Sequence, residues 1–317
     1  MKSVVIWPST KEISEGSFEK CAFLSEVQMP DSITSIRKDA FNSCSKLNQI
    51  KISSNVELIE EKSFENCVSL KSIEIPQSVK MIKNMCFNNC VNLNEITINP
   101  YTTKIELKTF NNCPSLHHLI FPPTCVSILQ YEFDKYFSNI TKITIPDSVT
   151  SIEKKAFTNL TSLTEITIPM SVSYLGNYSF GGCKKLKKIN IPSSVKWIGK
   201  YCFSRCESLI EVTLSSSLEK IGKFSFFQCT SLPEILIPSS VTEIGEGSFH
   251  ECSSLKKVSI LSHISIIEEK TFFGCSLLEK ILISSSVKEI GQNSFGECTS
   301  LTEINIPPSV TIIRMNA

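Results

Sequence analysis

The chain is poor in the residues on which catalysis usually turns. Its 317 residues include four His and two Trp. Charge of neither sign is in excess: 32 Lys and Arg stand against 31 Asp and Glu, interspersed without blocks. That balance gives no electrostatic reason to expect nucleic acid or an anionic membrane as partner. No run of apolar residues approaches the roughly 18 of a spanning helix, so no membrane span is expected. The apolar stretch Val4-Val5-Ile6-Trp7 stops at Pro8, too short for a signal peptide. The C-terminus shows no prenylation or retention signal. A nucleophile elbow, a phosphate-binding loop and a dinucleotide fingerprint are all missing. No catalytic residue and no cofactor are therefore assigned.

Fourteen Cys are present, yet no Cys-x-x-Cys pair. Metal sites favour such close pairs, so no metal is expected. Cys86/Cys90 and Cys202/Cys206 are spaced by four. His117 and His118 read as a solvent-facing pair, and neither His250 nor His263 has a partner suggested by the sequence.

What the chain does have is a period. Phe recurs every 23 residues from Phe18 to Phe133 and again from Phe157 to Phe295, with one extra residue between Phe133 and Phe157. Counting from each Phe, Ile or Leu stands five before, as in Ile36 and Ile198. Val is usual eight before, as in Val56 and Val241. Cys stands three after in eleven units, and Leu six after, as in Leu47. Two apolar or β-branched residues follow at nine and eleven after, such as Ile189 and Ile191.

The Leu-x-x-Ile-x-Ile stretch ends in strict alternation, which predicts a short strand buried on one face. Pro or Ser then stops it. Gly176, Gly199, Gly222, Gly245 and Gly291 sit where a turn is needed. Ser-Phe-x-x-Cys-x-x-Leu, with its spacing of three, suits one helical or 3₁₀ turn. A single coil cannot bury its face alone, so neighbours must stack. The expectation is one solenoid over residues 1–317, about thirteen units, with a continuous sheet roughly 60 Å long. The Cys would form a column of small buried thiols.

The pattern Ile-Pro-x-Ser-Val-x-x-Ile-(Gly)-x-x-x-Phe-x-x-Cys-x-x-Leu-x-x-Ile-x-Ile resembles the BspA-like leucine-rich repeat family across essentially the whole chain. The resemblance implies a right-handed leucine-rich-repeat coil, with parallel strands on the concave face and turns and loops on the convex side. It also implies a surface or secreted protein of adhesion and protein binding. The missing signal peptide points instead to a cytoplasmic chain.

Specificity belongs to the outward positions of the strands. The column eight after Phe carries Glu165, Lys188, Glu211, Glu234, Lys257, Lys280 and Glu303, where four of six steps join opposite charges. The column ten after Phe is polar except at Ile120, Leu236 and Leu282, the apolar candidates for partner contact. From His117 to Asn139 the repeat is irregular and rich in aromatics, including Tyr131, Tyr136 and Phe137. That segment is either an interface or a bulge in which Phe137 or Tyr136 fills the missing Cys position. Three glycosylation sequons, at Asn139, Asn159 and Asn177, matter only in a secreted chain.

The expected function is a non-catalytic protein-interaction module working through the concave sheet. It is either a surface adhesion protein or an intracellular scaffold or signalling adaptor. Val4, Ile6, Val310 and Ile313 are expected to expose apolar edges and to permit weak end-to-end self-association.

Overall fold

The structure is a computed structural model that describes residues 1–98, 104–106, 108–129, 133–261 and 263–317. Tyr131 lies outside the described residues. The chain forms two compact units: Met1–Pro122 with Lys135–Thr144, and Pro123–Asp134 with Ile145–Ala317.

Most coils contribute a longer strand, a two-residue strand and a set of tight turns. In the first unit, Ser72–Glu74, Glu95–Thr97, His118–Ile120 and Lys142–Thr144 form a parallel sheet. Ser3–Val5 pairs separately with Glu26–Gln28. In the second unit, Lys188–Asn190 pairs with Glu211–Thr213, and Glu234–Ile237, Lys257–Ile260 and Lys280–Leu282 form a further sheet. The alternation works as expected: Glu234 and Leu236 are exposed while Ile235 and Ile237 are buried.

A second set of parallel strands, not expected, is built from the residues five and six before the Phe. Ser35–Ile36, Leu58–Ile59 and Met81–Ile82 belong to it in the first unit. Tyr174–Leu175, Trp197–Ile198 and Lys220–Ile221 do so in the second. One residue of each pair, such as Ile59 or Ile198, is buried in the core.

The expectation of helical or 3₁₀ turns is corrected. Among the described residues the only helix is the four-residue Phe133–Tyr136. Elsewhere i→i+3 bonds such as Cys44 N–H to Phe41 O and Leu47 N–H to Cys44 O do form. Left-handed residues two before and two after the Phe interrupt them, as at Asp39 and Ser43, so no helix propagates. That geometry frees the N–H of Asp39, Phe41 and Ser43 to donate to Glu61, Ser63 and Glu65 in the next coil. A third backbone ladder replaces the expected helical turn.

The role given to the glycines is corrected too. Gly199 has no left-handed φ; a Cβ there would lie 2.6 Å from the carbonyl carbon of Gly176 in the preceding coil. Close approach between coils, not turn conformation, is what these glycines allow.

The core is a set of columns. Phe rings stack at 5.2–5.4 Å from Phe18 to Phe110 in the first unit. From Phe180 to Phe295 in the second they stack at 5.2–5.6 Å. Offset pairs of this kind each add about 0.5–1.5 kcal/mol beyond area burial. Phe137 packs on Phe110 at 5.4 Å, and its carbonyl accepts from Ile140 N–H as that of Cys113 accepts from Leu116 N–H, so Phe137 takes the place of the missing Cys. Phe133 packs on Phe157 at 5.8 Å in the other unit. Ile6 was expected at an open edge but is buried, with its N–H bonded to Gln28 O; Val4 and Val310 are half-buried and Ile313 is exposed.

The long sheet is not continuous. Residues 48–52 form no strand. Nor is Glu211–Thr213 paired with Glu234–Ile237.

Candidate binding face

Eight of the nine outward residues singled out in the sequence are exposed and lie in the second unit: Glu165, Lys188, Glu211, Glu234, Leu236, Lys257, Lys280 and Leu282. Ile120 belongs to the first unit. It is half-buried, in register with Thr97 and Thr144. Leu236 and Leu282 are 57% and 66% exposed and lie two strands apart, with Ser259 in register between them.

Pro233 interrupts a backbone ladder on this face. Seven residues after the Phe, coil after coil, an N–H donates to the same position of the preceding coil: Ile210 to Lys187 at 2.8 Å, Lys256 to Pro233 at 2.8 Å, Glu279 to Lys256 at 3.0 Å. Pro233 has no N–H, so the rung to Ile210 is missing. The strands on either side do not pair, and a groove of about 540 Å³ opens there. Ile210, Val212, Pro233 and Leu236 line it, with Glu211, Glu234 and Lys257 at its margins. Val212 is half-buried, whereas its counterparts Ile189 and Ile235 are buried. Ile210 and Pro233 were not among the predicted site residues. The signal was a proline in the donor column.

The charge column is less paired than its sequence suggests. Lys188 Nζ lies 2.5 Å from Glu211 Oε2. Among the described residues no ion pair involves Glu234, Lys257 or Lys280. Lys257 and Lys280 are Cα partners on neighbouring strands.

The thiols are held inside. Cys67, Cys90, Cys229 and Cys252 each donate from Sγ to the carbonyl oxygen of the Phe one coil back, at 3.1–3.3 Å. Burial pushes Cys86, Cys202 and Cys252 up to about 12. Such thiols are protonated and unreactive at neutral pH. All fourteen Cys are free, twelve of them buried and Cys21 and Cys298 half-buried.

His117 is exposed, but His118 is half-buried: its Nε2 lies 2.8 Å from Thr144 Oγ1 and its Nδ1 3.5 Å from Glu95 Oε2. Burial lowers its pKa, partly countered by Glu95. His250 is also half-buried, with Phe227 and Phe273 rings at 5.3 and 5.1 Å and Glu251 at 3.1 Å. A second aromatic stack, Tyr178–Tyr201–Phe224, was not foreseen, with centroids 4.7 and 5.0 Å apart. Beside the irregular segment, Lys108, Asn111 and Asn112 line a groove together with Tyr136. Among the described residues no group of three or more His, Cys, Asp or Glu is placed to hold a metal, and no helix is long and apolar enough to cross a membrane.

The model of the BspA-type leucine-rich repeat region matches residues 11–138, 126–235 and 206–317. The chain belongs to this family. A leucine-rich repeat protein from Bacteroides ovatus is similar at 29% identity and a TM-score of 0.52, over 98% of this chain and 80% of that one. The leucine-rich repeat protein of T. pallidum is similar at 28% and 0.52, over 56% of this chain and 83% of that one. One from Eubacterium ventriosum, at 22% identity and a TM-score of 0.53 over 98% and 86%, shows the same fold. No curated protein matches. In this BspA-type chain the positions that recur are the buried ones. The outward columns change from coil to coil, and any selectivity must reside in them.

Proposed function

We propose that this chain is a non-catalytic binding module that presents the outward face of its longer strands to another protein, at a cell surface or after secretion. The observation that carries the reading is the pair Leu236 and Leu282, exposed on a sheet whose alternate residues are buried. Membership of the BspA-type family supports both the binding role and the surface location. The protonated, buried thiols support a role without nucleophilic chemistry. A photo-crosslinking residue at Ser259, between the two Leu, should capture the partner in native cells. The same residue at the exposed Glu243 of the two-residue-strand sheet should not. Equal capture from both positions overturns the reading. A second reading, an intracellular scaffold, is favoured by fourteen free cysteines, which suit a reducing compartment. Fractionation of native cells separates the two.

A further inference from the structure

We infer that the face around Leu236, Lys257, Lys280 and Leu282 docks an acidic, apolar polypeptide segment of a partner protein. The inference rests on the reading of this face as protein-binding and names the chemistry of what it binds.

Several lysines in this unit are answered by a glutamate one coil on. Lys188 meets Glu211, Lys196 meets Glu219, Lys220 meets Glu243 and Lys223 meets Glu246, all at 2.5–3.6 Å. At Lys257 the next coil offers a like charge instead, because its Cα partner there is Lys280. Both are exposed, and neither has an ion-pair partner among the described residues. Like charges directly opposite on neighbouring strands repel. A carboxylate placed between them from outside would supply what the glutamates supply elsewhere.

The apolar part of the surface adjoins this pair. Leu236 and Leu282 stand in register on either side of Ser259, about 10 Å apart at the usual strand spacing. Ile210, 49% exposed, continues the apolar surface across the groove at Pro233. The occupant therefore needs apolar side chains beside acidic ones. A nucleic acid or other polyanion fits poorly. Glu211 and Glu234 occupy the same column as the two lysines and would repel a continuous line of negative charge.

The test uses the full chain and a displayed library of random peptides. Peptides selected on the wild type should be enriched in Asp or Glu next to Leu, Ile or Phe. They should bind at least about ten-fold more weakly to a Lys257→Glu/Lys280→Glu variant and to a Leu236→Ser/Leu282→Ser variant. Raised salt should weaken them as well. A Lys257→Gln/Lys280→Gln variant should show an intermediate loss, and unchanged melting of all three would confirm that they fold. Peptides without acidic residues that respond only to the Leu substitutions would sink the inference while leaving the binding face intact. Peptides indifferent to every variant, or no selected peptide at all, would remove both. Binding of a poly-dT oligonucleotide that is lost with Lys257→Glu/Lys280→Glu would assign the lysines to a polyanion and overturn the inference.

Discussion

The ring of Phe224 occupies the space that a side chain on Gly247 would need: a Cβ there would lie 2.2 Å from Phe224 Cε1. Gly247 also has φ +59°, which any other residue adopts at a cost. Phe224 is the last ring of the Tyr178–Tyr201–Phe224 stack, so the glycine gives the stack its end. Gly247→Ala should destabilise the chain by about 3 kcal/mol, combining overpacking and left-handed strain. In a Phe224→Ala background the same change should cost only about 1–2 kcal/mol, the strain alone. Denaturant unfolding of the double-mutant cycle measures the difference, and equal costs in both backgrounds would remove the clash from the explanation.

Phe203→Ala should cost about 3–5 kcal/mol, because it empties a site between Phe180 and Phe226. Glu211→Ala should cost under about 1 kcal/mol even though its carboxylate meets Lys188, since the pair is exposed. Thermal unfolding of the two variants, side by side, tests which face is inside.

Stability should fall steeply above pH 9. An unfolded Cys ionises near its ordinary value, whereas burial holds Cys86, Cys202 and Cys252 at about 12. Between those values the folded state keeps protons that the unfolded state has lost. The contribution is thus complete below about pH 8.5 and is lost as pH rises, by about 1.4 kcal/mol per unit for each such thiol. Melting temperatures from pH 7 to 11 check the slope. A companion measurement is thiol labelling at pH 8, where Cys21 and Cys298 should react first and the twelve buried thiols only on unfolding.

Pro233→Lys should restore the missing rung by supplying an N–H to the Ile210 carbonyl. Hydrogen exchange should show an amide at position 233 as protected as that of Lys256. Stability should change by less than about 1 kcal/mol, because the new hydrogen bond is offset by the greater freedom of the unfolded chain. An unprotected amide at 233 would mean that the strand break has another cause.

The repeat, its buried columns and the outward strand face were legible because every coil buries the same positions. Phe203, Cys206 and Leu209 announce themselves by recurring. The second sheet was not legible: in Lys220–Ile221 or Glu243–Ile244 only one residue is apolar, too little for an alternation to show. The third ladder was hidden for a different reason. Its left-handed positions are occupied by Lys62, Arg205 and Glu251 as well as by Asn and Gly, so residue type does not signal the conformation. Tertiary bonding from the neighbouring coil imposes it. At the binding face the exposed Leu236 and Leu282 could be read from phase alone. The groove beside them required knowing that position 233 is a hydrogen-bond donor column.

The ladders also bear on how such a chain can change in length. Phe N–H to carbonyl, Cys thiol to carbonyl and strand to strand, each link joins residues at a fixed offset into the adjoining coil: 22 for Phe41 to Ser63, 23 for Leu58 to Met81, 26 for Cys67 to Phe41. Excising or duplicating 23 residues within either unit leaves every offset satisfied, whatever the point of the cut. A gain or loss of another size puts Phe against Cys and buried Ile against solvent, unless a turn absorbs it as one absorbs the extra residue between Phe133 and Phe157. Unequal recombination between coils is therefore best tolerated in whole periods. Each such event slides the outward side chains past one another, producing new faces from an unchanged interior.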